Sequence, residues 1–72
     1  MAWEVLTVAD TDAEIEYIQL LLATDGIITR INQPERASFR EILVDLRVMT
    51  LAKALLEQYH ERLELLRLYG KT

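Results

Sequence analysis

The chain of 72 residues has no cysteine. That removes disulfide staples and thiolate metal sites, and it is compatible with a reducing, cytoplasmic setting. There are only two glycines, Gly26 and Gly70, and one proline, Pro34, so no glycine-rich phosphate loop exists. His60 is the single histidine and Ser38 the single serine. A lone histidine without cysteine is a poor metal site, and no Ser-His-Asp arrangement with supporting motifs is visible. No apolar run reaches the ~18 residues of a membrane span, so no membrane association is expected. No secretory leader is expected either, because Met1 is followed by Ala2, Trp3 and Glu4 with no basic stretch. Basic residues are scarce: 8 Lys and Arg face 12 Asp and Glu, for a net charge of −4. The scattered cations argue against a nucleic-acid-binding module, which carries a basic patch.

Apolar residues are what the chain has in quantity: they make up 51% of it. A chain this short holds one domain and buries only ~60% of its unfolded surface. Either the core is dense, or apolar surface is left over for a partner. The stretch Phe39 to Met49 is the longest strand candidate. Ile42, Val44, Leu46 and Val48 alternate with Glu41, Leu43, Asp45, Arg47 and Met49, the period of two expected of a strand with one face buried. The pattern predicts an extended segment over residues 42–48 in mid-sheet.

Trp3 to Val8 reads as a first strand, with Leu6 and Val8 on the face opposite Trp3, Val5 and Thr7. A helix is predicted from Asp12 to Thr24. Thr11 and Glu14 have capping-box spacing, Asp12 and Glu14 suit the helix dipole, and Ile15, Ile18, Leu21 and Leu22 form one apolar side. Gly26, free to adopt the left-handed conformation, ends it. Ile27 to Asn32 is a second strand. The polar run Gln33 to Ser38, broken by Pro34, is a mobile hairpin loop of five to seven residues. Thr50 is the predicted N-cap of a last helix terminated by Gly70. Ala52, Leu55, Leu56, Tyr59, Leu63 and Leu66 form its core stripe.

The order β-α-β-β-α predicts an α+β domain over residues 1–72: a ferredoxin-like half-pattern, a three-stranded sheet with two helices on one face. The third strand lies between the first two and antiparallel to both. One sheet face then stays uncovered, holding Trp3, Val5 and Leu43 beside Glu41, Asp45 and Arg47.

In this order, the segment "LLATDGI" closing a helix before a strand, and "EILVDLRVMTLAKALLEQY" running from strand into helix, resemble the small prokaryotic signal-transducing proteins. These are a family of unknown function with an architecture similar to the PII-like regulatory proteins. The resemblance covers roughly residues 3–59. It implies a regulatory role and carries over no catalytic residue. Two features depart from the family's pattern: the Met49-Thr50-Leu51 junction lacks the proline and acidic residues often found there, and the last helix continues through Glu61 to Tyr69.

No catalytic site, cofactor or metal is expected. Asp10, Asp12 and Glu14 read as helix-capping residues rather than a calcium loop, which needs more ligands and a central glycine. Two candidate sites stand out. Leu65, Leu68 and Tyr69 lie on a different side of the last helix from Leu63 and Leu66 at ~100° per residue, and so have no evident place in the core. The helix also outruns the strands. These residues point to a homo-oligomer, with a homodimer expected, or to another protein as partner; the open sheet edge is a second route to pairing. Arg30, Arg36 and Arg40 flank the 33–38 hairpin and are candidates for binding an anion. The expected function is a small non-catalytic interaction or regulatory module. The alternatives are a sensor of a small anionic ligand and an acidic protein inhibitor.

Overall fold

The computed structural model describes residues 2–69. It contains β1 (Trp3–Ala9), α1 (Asp12–Thr24), β2 (Thr29–Asn32), β3 (Arg40–Asp45), a single 3₁₀ turn (Leu46–Val48) and α2 (Met49–Tyr69). The sheet order is β1-β3-β2, with β3 antiparallel to both neighbours. This is the α+β arrangement with the β-α-β-β-α order read from the sequence. Ile42 and Val44 on β3 are completely buried. They meet Ile15, Ile18 and Leu22 of α1 and Met49, Ala52 and Leu56 of α2 in one core. Both helices therefore cover the same face.

The start of α1 follows from local chemistry. Thr11 is extended, and its hydroxyl accepts the Glu14 N–H at 3.2 Å, satisfying one of the helix's orphan donors. At the other end Ile27 N–H donates to Leu22 O at 3.0 Å and Gly26 N–H to Ala23 O at 2.9 Å, with Gly26 at φ 76°. These are the two bonds of a Schellman turn, and its usual apolar contact is made by Leu22 and Ile27, both in the core. A Cβ on Gly26 would meet nothing within 4 Å. Gly26→Ala is therefore expected to cost only the backbone penalty of a left-handed L-residue, ~1–2 kcal/mol. Urea denaturation should show a lower midpoint and an unchanged slope.

Four sequence-based expectations need correction. First, β3 stops at Asp45, three residues short of 48. The Asp45 carboxylate accepts the Arg47 N–H at 2.9 Å, offering the backbone an alternative to the sheet ladder. The chain turns into the 3₁₀ segment, Leu46 is exposed, and Arg47 leaves the sheet. Second, Thr50 caps nothing: α2 already begins at Met49, continuing from the turn that Asp45 caps. Third, β2 starts at Thr29, because Ile27 is held in the helix-terminating turn. Fourth, the register of β1 shifts between Val5 and Thr7, leaving Leu6 as an extra bulged residue. The bulge flips the alternation, so Val8 pairs with Glu41 and joins Trp3 and Val5 on the uncovered face. The expected helix end at Gly70 lies outside the described residues.

Candidate interaction surface

α2 runs antiparallel to α1. Tyr59 stacks on Tyr17 with ring centroids 4.8 Å apart, and its pKa is raised first by burial and then by the nearby Glu14 carboxylate. The C-terminal part of α2 therefore projects past the beginning of α1, beyond the end of the sheet where the 33–39 loop lies. Length explains why. The 21 residues of α2 span ~31 Å at ~1.5 Å per residue, whereas the six residues of β3 span ~20 Å. The helix cannot be covered along its whole length.

Every residue from His60 to Tyr69 is exposed. Leu63, Leu65, Leu66, Leu68 and Tyr69 expose 41–77% of their surface. Leu65, Leu68 and Tyr69 thus stand free, as the sequence suggested. Leu63 and Leu66 do too, contrary to their assignment to the core: the stripe continues in sequence, but the sheet beneath it has ended. His60 lies on this solvent-facing part, its ring 5.4 Å from that of Tyr59.

The second unpartnered surface is the sheet face away from the helices. Register places Trp3 beside Asp45, Leu43 between Val5 and Arg30, and Glu41 between Val8 and Asn32. Val5 and Val8 are each nearly half exposed. The Arg30 guanidinium reaches across β3 and lies 4.3 Å from the centre of the Trp3 ring, a cation–π contact. Asn32 donates to Glu41 at 2.7 Å. Arg47, off the strand, pairs with Asp45 at 2.9 Å. An apolar centre of Val5, Val8 and Leu43 remains, framed by polar groups.

The Arg47 side chain and its backbone N–H hold the Asp45 carboxyl below its ordinary value of 3.8. A carboxylate depressed in the folded state adds stability that is fully present above about pH 4 and is lost as pH falls through the folded value. Asp45→Asn is expected to lower the melting temperature at neutral pH, and the difference should shrink as pH falls through the depressed value of Asp45, as a series of thermal melts would show.

The three candidate arginines are not brought together. Arg30 lies on the open face against Trp3. Arg40, at the other end of the sheet, is bonded to Asp12 at the start of α1. Arg36 sits in the loop at φ 64°, in a turn closed by Ala37 N–H to Pro34 O at 3.2 Å. Two clefts of about 500 and 570 Å³ are open grooves sharing Ile27, Ile28 and Thr29 at the β2 edge. Ile28 is 75% exposed there, an edge feature that sequence placed within a strand. Among the described residues no three His, Cys, Asp or Glu side chains gather at ion-binding range, and no helix is long and apolar enough to cross a membrane.

Comparison with protein-family models, with curated proteins and with solved structures gives no significant match to any of the three.

Proposed function

We propose that this chain is a small non-catalytic interaction module that self-associates through the free end of α2. One observation carries the reading: five large apolar side chains stand exposed on the last two turns and a half of a helix whose first half is anchored in the core. An apolar helix segment without cover is stabilised by any partner that removes it from water, at ~25 cal/mol per Å². The resemblance to small signal-transducing proteins supports a regulatory setting, and the lack of cysteine suits the cytoplasm. No second reading is favoured: a shared anion site would require Arg30, Arg36 and Arg40 to leave three separate environments.

Sedimentation equilibrium tests the proposal. The expected result is a dimer at micromolar to tens-of-micromolar chain. Two double variants bracket the helix, Leu63→Asp with Leu66→Asp on one side and Leu65→Asp with Leu68→Asp on the other. At least one should give a monomer with an unchanged circular dichroism spectrum, because these residues contribute nothing to the core. A wild-type chain that stays monomeric at ~1 mM, where even weak dimers assemble, would end the proposal.

A further inference from the structure

The chain carries two uncovered apolar surfaces, and each has the form of the other's missing partner. Met49, Ala52, Leu56, Tyr59, Leu63 and Leu66 follow one another at spacings of 3, 4, 3, 4 and 3, so they form one continuous stripe along α2. Met49, Ala52 and Leu56 rest on the chain's own sheet, and Tyr59 is half-buried. Leu63 and Leu66 continue the stripe toward the plane of that sheet, past its end. What they require is more sheet in the same plane. The open face provides it on another molecule: Val5, Val8 and Leu43 form an apolar patch on a face no helix covers.

Resting on the proposed self-association, we infer that the partner surface is the open sheet face of a second copy of this chain, with the exchange reciprocal. A two-fold axis in the sheet plane, across the strands near Arg40 and Ala9, sets the two sheets end to end with their open faces on opposite sides. Each α2 overhang then lies on the other chain's open face. Such a two-fold inverts the sheet, so only the side of the overhang that faces its own sheet plane can meet the partner's. That side carries Leu63 and Leu66, not Leu65 and Leu68. Because the interface is isologous, every contact occurs twice. This helps two short surfaces approach the ~1,200–2,000 Å² of a stable dimer.

Charge agrees with this pairing and disfavours the simpler one. Arg62 and Arg67 flank the Leu63–Leu66 stripe on either side at ~100° per residue. On the open face, Arg30 lies on Trp3 and Asp45 pairs with Arg47, while Glu41, bonded to the neutral Asn32, has no cation partner among the described residues. Arg62 lines the groove between α1 and α2 beside Tyr17, so seating the overhang on the open face brings Arg67 to Glu41. Two overhangs packed on each other through this stripe would instead set arginine against arginine.

The test is a complementation of charges in the full chain. One variant carries Arg67→Glu; the other carries Glu41→Lys. Each alone sets like charges across both junctions and should weaken its own dimer by at least ~10-fold. Mixed at equal concentrations they form a heterodimer in which one junction is reversed in sign and the other is wild type. Association should return to near the wild-type level. Val8→Asp, on the open face and outside the core, should also give a monomer. A wild-type dimer insensitive to Glu41→Lys and Val8→Asp, yet lost on altering α2, would overturn this arrangement and leave self-association standing. A monomeric wild type would remove both.

Discussion

Ile42→Ala is expected to cost ~2–5 kcal/mol, while Leu43→Ala, one residue along, costs about 1 kcal/mol. The two side chains are neighbours on the same strand, and the difference comes from where they point. Ile42 is fully buried between the helices, so truncation removes its transfer energy and leaves a cavity. Leu43 lies half-buried on the open face, where solvent can fill the gap. A domain of 72 residues has ~4–11 kcal/mol of stability in all, at ~0.05–0.15 kcal/mol per residue. The first variant therefore sits close to its unfolding threshold at room temperature. Urea titrations at a concentration low enough to keep the chain monomeric would separate the two. Equal losses at both positions would mean that the sheet is covered on both sides of each chain, against the fold described above.

The second large effect is at Leu22. It is fully buried, its carbonyl accepts the Ile27 N–H that closes α1, and its side chain shares the core with Ile27. Leu22→Ala is expected to cost ~2–5 kcal/mol. It should also reduce the effect of a second change at Ile27, because that side chain loses a principal neighbour. A double-mutant cycle with Ile27→Ala should give a coupling of ~0.5–3 kcal/mol, the range for residues in contact. Additivity within ~0.5 kcal/mol would show that the turn at Gly26 holds Ile27 in place without help from Leu22.

The features legible in the sequence are those whose cause lies within a few residues. Thr11 and Glu14 mark the start of α1 because the hydroxyl and the N–H it caps are three positions apart. Gly26 marks the end because only a residue free at positive φ closes that turn without penalty. Ile42 and Val44 are core residues because strand alternation assigns them to one face. The same alternation failed two residues later. Leu46 and Val48 continue the pattern, but the Asp45 side chain takes the Arg47 N–H and ends the strand. Nothing in hydrophobic periodicity registers such a competition; the signal was an aspartate ahead of a helix, a side chain that can cap as Thr11 does.

The uncovered surfaces were half legible. Leu65, Leu68 and Tyr69 stand out because their angular position on the helix conflicts with the core stripe. Leu63 and Leu66 do not, since their position is correct and only their height along the axis is wrong. Val8 was hidden in another way: the bulge at Leu6 reverses the face of every residue after it until the strand ends, and a bulge is fixed by pairing with β3.

The amino-acid sequence by itself determined the strands and helices, their order and the apolar sides of α1 and of β3 as far as Asp45, because these follow from torsional preference, capping and spacing along one segment. Tertiary structure alone decided where cover runs out. Whether an apolar side chain is core or surface depends on the length of the sheet opposite it and on the register of the strands that compose that sheet, and both are properties of segments brought together from distant parts of the chain.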